Sequence, residues 1–267
     1  MNRSARRLLW RLGLLGPVRW ARDLARAARS IPSNRRYLAS GASDGLPIPP
    51  ARLRILVAGH PDVGWFVESG RQAAACIRAA LERNGFDIAG TLPLLDFGCG
   101  CGRVTRHFAS LGAAVHGTDF NPTLVQWCRR HLTFGRFEVN GLEPPLPFDD
   151  GRFQLIYALS VFTHLPEALQ LAWMAELRRV LGRGGLLMVT THGAHYLGAL
   201  TPVERERFAR DELVIRQDDE PGSNFCGAYH PETYVRERLA RGFEVVDFVP
   251  EGATGNPRQD LWVLRRS

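Results

Sequence analysis

An acidic residue followed by three alternating glycines is the pattern in this sequence with the clearest chemical meaning. The pattern begins at Asp96, and its glycines are Gly98, Gly100 and Gly102. Glycine has no Cβ, so the backbone can adopt a positive φ and come close to a ligand. An apolar run over 92–97 predicts a buried strand before the glycines, and helical spacing follows over 104–111. A strand, a glycine turn and a helix start with unpaired N–H groups predict a binding site for a polar cofactor.

A second acidic residue, Asp119, closes the next predicted strand, which covers residues 113–118. Nucleotide-binding α/β folds place an acid at about this distance from the glycines, where its two oxygens accept hydrogen bonds from ribose hydroxyls. The dinucleotide fingerprint needs a third glycine at position 103, which is Arg103 in this chain. A nicotinamide-dependent oxidoreductase therefore stays open only as an alternative.

The glycine pattern together with Asp119 closely resembles motifs I and II of the class I S-adenosylmethionine (SAM)-dependent methyltransferases. Two further runs, residues 146–156 and 177–189, also resemble this family. The resemblance covers residues 91–192 well and the flanks loosely. It implies an α/β fold, namely a Rossmann-like three-layer α/β/α sandwich with a seven-stranded, mostly parallel sheet and an antiparallel last strand. It also implies that S-adenosyl-L-methionine is the cofactor.

The resemblance implies roles for individual residues. Asp96 would orient the glycine turn and help to bind the methionine ammonium group of SAM. Phe120 would contact the adenine ring, and Asn140, with Gly141 beside it, would accept a hydrogen bond from the adenine amino group. The pair Asn140-Gly141 is also an ordinary turn signal, so that role has an alternative. Ser160 would lie beside the methionine half of SAM.

The residues after the fourth predicted strand bear on the acceptor. Methyltransferases of nucleobases and glutamine carry Asn/Asp-Pro-Pro-aromatic there, whereas this chain has Ala-Leu-Ser-Val at 158–161. We therefore expect a small-molecule acceptor, with oxygen as the methylated atom, and nucleic acid becomes unlikely. An alcohol acceptor needs a base that works near neutral pH. The candidate bases are His192, His195 and His230.

The positive charge of the chain is concentrated at its N-terminal end. The formal net charge of the 267 residues is +7, and residues 1–50 hold ten arginines against Asp23 and Asp44. This arm has the spacing of two short amphipathic helices divided at Gly16-Pro17, with a linker over 40–50. It predicts either peripheral contact with an anionic membrane surface or a solvated helix. A non-catalytic SAM-binding module tethered by this arm is a further alternative.

Domain organisation and location follow from the same composition. We expect the arm at residues 1–50 and one methyltransferase domain at 51–267, with a core at 91–192 and an acceptor-side insertion at about 193–230. The five scattered cysteines do not form a disulfide framework, and the longest uncharged run near the N-terminus is too short to cross a bilayer. Cys99 and Cys101 have no second pair at metal-ligand spacing, so no metal site is expected. These observations predict a cytoplasmic protein, either free or peripheral at a membrane.

Overall fold

Four α-helices lie in the described residues at the N-terminal end of the chain. The structure is a computed structural model, and it describes residues 15–41 and 43–267. The helices are α1 (Leu15–Arg29), α2 (Ile31–Ala39), α3 (Ala51–Ala58) and α4 (Val63–Arg83). Helix α1 begins at Leu15, so Gly16 and Pro17 lie in its first turn, where proline is tolerated. The predicted helix that includes Leu8 and Leu12 lies outside the described residues.

The chain divides into two compact units between Val67 and Glu68. The second unit contains a seven-stranded sheet with the order β3-β2-β1-β4-β5-β9-β8. Its strands are β1 (Leu94–Phe97), β2 (Val115–Asp119), β3 (Arg136–Val139), β4 (Phe153–Ala158), β5 (Leu181–Thr191), β8 (Phe243–Val249) and β9 (Asp260–Arg266). Strands β1 to β5 pair in parallel, and β9 runs antiparallel to both β5 and β8. The predicted mostly parallel sheet with an antiparallel last strand is confirmed.

Apolar side chains fill both faces of this sheet. Neighbouring residues of one strand enter opposite clusters: Leu95 lies in one and Leu94 in the other, as strand geometry requires. Helix α6 (Glu167–Val180) contributes Trp173 and Leu177 to the first cluster, while Ile77 of α4 belongs to the second. Two buried faces covered by helices make the three-layer sandwich that the sequence predicted.

The strand order reverses between β1 and β4, because the chain proceeds from β1 outward to β3 and then returns to the other side of β1. In parallel sheets, ligands bind outside the carboxyl ends of the strands at such a reversal. The glycine turn follows β1, Asp119 ends β2, and Ser160 follows β4. The fold therefore gathers these predicted site residues at one edge of the sheet.

One segment differs from its prediction, and the insertion after β5 contains strands that were not predicted. The segment after the glycine turn, Thr105–Ala114, is 3₁₀-helical and is interrupted by non-helical φ/ψ values at Phe108 and Gly112, so the predicted regular helix is wrong. The insertion after β5 holds helix α7 (Pro202–Ala209) and a separate antiparallel hairpin of β6 (Val214–Arg216) and β7 (Gly227–Tyr229). The other helices are α5 (Pro122–His131) and α8 (Glu232–Tyr234), which continues as a π-helical turn over Val235–Leu239.

Candidate functional site

The glycine turn has a backbone that only glycine can easily adopt. The φ angles are 82° at Gly98, 55° at Gly100 and 78° at Gly102. A Cβ on Gly98 would lie 2.5 Å from Val161 Cγ2, and one on Gly102 would lie 2.3 Å from Leu132 Cδ1. Both backbone angle and lack of space therefore exclude a larger residue at these two positions.

Three N–H groups of this turn are hydrogen-bonded within the protein. Gly98 and Cys99 donate to the carbonyl oxygen of Thr118 at 2.8 and 2.9 Å. Gly100 donates to Asp119 Oδ2 at 2.9 Å. These bonds tie the turn to the end of β2 and fix Asp119 beside it.

Asp119 presents a nearly buried carboxylate with both oxygens oriented by the backbone. Asp119 is 7% exposed. Its Oδ2 accepts a hydrogen bond from Gly100 N–H, and its Oδ1 accepts one from Asn121 N–H at 2.8 Å. Burial raises the pKa of Asp119, and the two N–H groups oppose that rise. A carboxylate oxygen can accept more than one hydrogen bond. The arrangement can therefore also accept from two adjacent hydroxyl groups.

Asp96 lies in β1, directly before the turn, and is 4% exposed. Within the described part of the chain, its two side-chain hydrogen bonds come from Tyr157 Oη, at 3.0 Å, and from Thr105 Oγ1, and both reach Oδ2. Burial raises the pKa of Asp96 to about 7, opposed by these bonds and by the charge of Arg103. A cation placed at this carboxyl would favour its ionised form.

Asn140 carries an acceptor that the protein leaves without a donor. Its Oδ1 is buried and has no hydrogen-bond partner among the described residues, while its Nδ2 donates to Gly141 O at 2.6 Å. Leaving a buried acceptor unpaired costs about 1–3 kcal/mol. Phe120, at 43% exposed, and Leu142, at 37%, are exposed apolar side chains at the same edge. These features fit a flat ring that carries an amino group.

Ser160 has an unusual backbone conformation that its neighbours hold in place. Its φ is 58°, which is uncommon for a residue other than glycine. Its N–H donates to Thr190 Oγ1 at 2.8 Å, and its hydroxyl donates to Gln259 Oε1 at 2.9 Å. Sequence reasoning missed Gln259, because it stands 99 residues from Ser160 in an irregular segment that resembles no motif.

The three candidate histidines occupy different environments. His230 is 1% exposed, its Nε2 lies 3.0 Å from Gln170 Oε1, and burial lowers its pKa to about 3. A methyl acceptor therefore cannot reach the ring of His230, and the structure argues against His230 as a base. His192 is half-buried, and burial together with the charge of His164 lowers its pKa to about 4.

His195 lies on the 3₁₀ turn that follows β5, and its Nδ1 is 3.1 Å from Glu251 Oε2. Its side chain is 36% exposed. The rings of His192 and His195 both contact Tyr196, with centroid separations of 4.2 and 5.3 Å. Sequence reasoning did not single out Glu251, which lies in the connection between β8 and β9 and has no local motif.

Metal-ligand clusters and membrane-spanning helices are both absent from the described residues. No group of three or more His, Cys, Asp or Glu side chains in that part of the chain is placed to hold a metal ion. No helix within the described ranges combines the length and apolar character needed to cross a membrane.

Part of this chain, including the residues at this edge of the sheet, is similar in sequence to known proteins. Residues 94–185 match the family model described as a methyltransferase domain. A ubiquinone biosynthesis O-methyltransferase of Bradyrhizobium sp. is 28% identical over 122 residues, which are 44% of this chain and 47% of the relative. A similar match to the enzyme of that name from Cereibacter sphaeroides is 30% identical and covers 39% of this chain and 45% of the relative. The chain thus spans about half the length of the curated relatives that it matches.

Solved structures show the same fold at low sequence identity. An S-adenosylmethionine-dependent methyltransferase from Mesorhizobium loti has a TM-score of 0.55 and 20% identity, over 72% of this chain and 98% of that one. The glycopeptide N-methyltransferase MtfA, complexed with SAM, has a TM-score of 0.53 and 16% identity, over 73% and 94% of the two chains. The fold, the matched residues and the order of the motifs agree. Residues 94–185 of this chain therefore belong to the class I SAM-dependent methyltransferases, whose methyl donor is S-adenosyl-L-methionine.

Proposed function

We propose that this chain transfers the methyl group of SAM to an oxygen atom of a small-molecule acceptor. The observation that carries this proposal is the gathering of a glycine turn, two buried carboxyl groups and a histidine–glutamate pair at the carboxyl edge of a methyltransferase sheet. When bound, SAM supplies an electrophilic methyl group, so the protein has chiefly to hold the acceptor atom in line with it.

The proposed cofactor contacts follow from the hydrogen-bond acceptor atoms at this edge of the sheet. Asp119 binds the two ribose hydroxyls with its paired oxygens, and Asp96 binds the ammonium group of the methionine part. Asn140 Oδ1, which has no donor among the described residues, accepts from the adenine amino group. Phe120 contacts the adenine ring with its exposed face. Gly98 and Gly102 let the turn pack closely against Val161 and Leu132, which holds it in place at this edge.

The acceptor side of the proposal depends on a base. The pair of His195 and Glu251 has the arrangement used by histidine bases, in which a carboxylate holds Nδ1–H and leaves Nε2 to accept a proton. His192 is less suited, because its ring nitrogens lie 3.1 Å from Ala228 O and 3.3 Å from Gln259 Nε2. The names of the curated relatives, which are O-methyltransferases, support oxygen as the acceptor atom.

The proposal is tested by methyl transfer from radiolabelled SAM to a panel of phenols, catechols and primary amines. We expect phenolic substrates to be methylated, and we expect His195→Gln to lower kcat by about 10² to 10⁴ while leaving the affinity for S-adenosylhomocysteine (SAH) unchanged. His131→Gln, on the exposed end of α5, is the matched control. Methylation of amines alone, or full activity in His195→Gln, would overturn the assignment of oxygen as acceptor or of His195 as base.

A further inference from the structure

Gln259 is a buried amide that joins three strand ends at the edge described above. It is 1% exposed and stands directly before β9. Its Oε1 lies 2.9 Å from Ser160 Oγ and 2.7 Å from Thr190 Oγ1, and its Nε2 lies 3.3 Å from His192 Nε2. One side chain therefore contacts the loop after β4, the end of β5 and the first residue after β5.

The direction of each hydrogen bond in this cluster is fixed by its neighbours. Thr190 Oγ1 accepts from Ser160 N–H, and its own hydrogen is donated to Gln259 Oε1. The amide oxygen thus faces the two hydroxyls, so the amide N–H groups face His192. At the far end, His192 Nδ1 lies 3.1 Å from the carbonyl oxygen of Ala228, which can only accept. His192 therefore carries its hydrogen on Nδ1 and accepts from Gln259 at Nε2.

The two ends of this series of hydrogen bonds lie on the cofactor side and on the acceptor side of the proposed reaction. Ser160 precedes Val161, whose Cγ2 would lie 2.5 Å from a Cβ on Gly98, so this loop lies against the cofactor turn. His192 lies beside two rings of the insertion, with centroids 4.2 Å from Tyr196 and 5.4 Å from Tyr229, and its ring is 6.3 Å from that of His164, which follows β4. In the sequence, Gln259 is far from both Ser160 and His192.

We infer that Gln259 is a positioning residue that holds the Ser160 loop in its positive-φ conformation and fixes the tautomer of His192, thereby coupling the cofactor side to the acceptor side. The inference rests on the proposed function for the names of the two sides, but the bonds themselves do not depend on it. Linked hydrogen bonds that all run in one direction reinforce one another, so loss of the central amide affects both ends.

Imidazole ¹⁵N NMR of the full chain without ligand tests the link to His192. In the wild type we expect a single Nδ1–H tautomer with a hydrogen-bonded Nε2. In Gln259→Leu the Nε2 resonance should move to the position of an unbonded nitrogen. In Gln259→Glu a carboxylate oxygen replaces the donor, so the pKa of His192 should rise by about two units. Unchanged His192 resonances in both folded variants would overturn the inference.

Gln170 provides a matched control, because it is a second buried glutamine bonded to a histidine. It is 0% exposed, and its Oε1 lies 3.0 Å from His230 Nε2. Gln170→Glu should therefore change the resonances of His230 and leave those of His192 in place. If Gln170→Glu shifts His192 as much as Gln259→Glu does, the effect is a general loosening of the core and the inference fails.

Calorimetry with SAH tests the link to the cofactor side. Gln259→Leu should weaken SAH binding about fivefold to tenfold, as expected for the loss of one hydrogen bond that supports the Ser160 loop, whereas Gln170→Leu should not. Equal SAH affinity in wild type and Gln259→Leu would contradict the coupling. If the wild type itself fails to bind SAH, the proposed function fails, while the NMR measurement still decides whether Gln259 positions His192.

Discussion

Asp96 and Asn140 carry buried acceptors whose bonding to the described residues is incomplete for such positions. Asp96 receives both of its described side-chain bonds at one oxygen, and Asn140 Oδ1 receives none from the described residues. A stable protein rarely keeps such groups without a reason, because each lowers the free energy of unfolding unless a ligand or water satisfies it. At the residue scale, these two side chains are the best guides to where a ligand binds.

The raised pKa of Asp96, about 7, gives a pH dependence of SAH affinity. Below that pH the carboxyl of the unliganded protein is mostly neutral and attracts an ammonium group weakly. Affinity should therefore rise by about tenfold per pH unit as the pH approaches 7 from below, and then level off. Calorimetry in buffers across this range measures it. Asp96→Asn should bind more weakly and lose this dependence, and an affinity in the wild type that is flat with pH would contradict the assigned role.

Gly98 and Gly85 separate the two reasons for a glycine in a turn. Their φ angles are 82° and 79°, but a Cβ on Gly98 meets Val161, while a Cβ on Gly85 meets nothing within 4 Å. Gly85→Ala should lower the free energy of unfolding by about 1 kcal/mol through backbone strain alone. Gly98→Ala should cost about 1–3 kcal/mol more because of the clash.

Chemical denaturation measures both losses. Adding Val161→Ala to Gly98→Ala removes the clashing methyl group, so part of the loss should return. Equal stability of Gly98→Ala and Gly85→Ala would contradict a clash between a Cβ at position 98 and Val161.

The sequence predicts candidate cofactor residues more readily than candidate acceptor residues, because the candidate cofactor residues belong to one local motif. The glycines and Asp119 form a motif that follows a strand, so their placement is set by a short stretch of chain. Gln259 and Glu251 act on Ser160 and His195 across long sequence separations, and nothing in their immediate neighbours marks them. His230 was predicted as a base from its residue type, but its burial against Gln170 depends on tertiary packing.

At the scale of elements, the strands of the seven-stranded sheet followed from sequence, and the two strands of the hairpin did not. The apolar run over Phe243–Val249 predicts β8 with its observed bounds. The hairpin strands β6 and β7 have three residues each, which is too short for a period to be recognised. The segment after the glycine turn has apolar residues at helical spacing, but Gly112, with a φ of 57°, interrupts it.

Helix α7 and the hairpin of the insertion are joined by Glu204. This residue completes a capping box with Thr201 and pairs with Arg216 of β6. The arginine holds the pKa of Glu204 at about 2, below its ordinary value of 4.5. Its stabilising effect is therefore present above about pH 4.5 and is lost as the pH falls toward 2.

We expect Glu204→Gln to increase hydrogen exchange of the amides in β6 and β7 at neutral pH, because the hairpin loses this ion pair. Glu212→Gln is the control, since Glu212 pairs with Arg207 and Arg210 on the exposed surface and exposed pairs contribute little. Equal exchange in β6 and β7 for the two variants would show that Glu204 does not hold the hairpin.

At the scale of the whole molecule, positive charge and methyltransferase chemistry occupy different parts of the chain. Residues 1–50 carry ten arginines and two acids, while the whole chain has a net charge of only +7. The methyltransferase model matches 94–185, well away from that arm in sequence. The predicted contact of the arm with an anionic membrane should therefore be separable from cofactor binding.

Vesicles that contain anionic lipid test that separation with the full chain. Changing Arg22, Arg26 and Arg29 of α1 to Gln should weaken vesicle binding by about 1 kcal/mol per arginine at low salt and leave SAH affinity unchanged. Changing Arg130, Arg183 and Arg241, which are exposed in the second unit, removes the same charge as a control. Equal losses in the two triple variants would mean that net charge, rather than the arm, attracts the protein to vesicles.

Calorimetric titration with SAM, SAH and NADH shows whether the edge of the sheet at Asp119 binds the adenosyl cofactor of a methyltransferase. We expect SAM and SAH to bind and NADH not to bind. Asp119→Ala should lose adenosyl binding, while Asp87→Ala, on an exposed loop, should retain it. Binding of NADH alone, or undiminished SAH binding in Asp119→Ala, would contradict a cofactor site at Asp119.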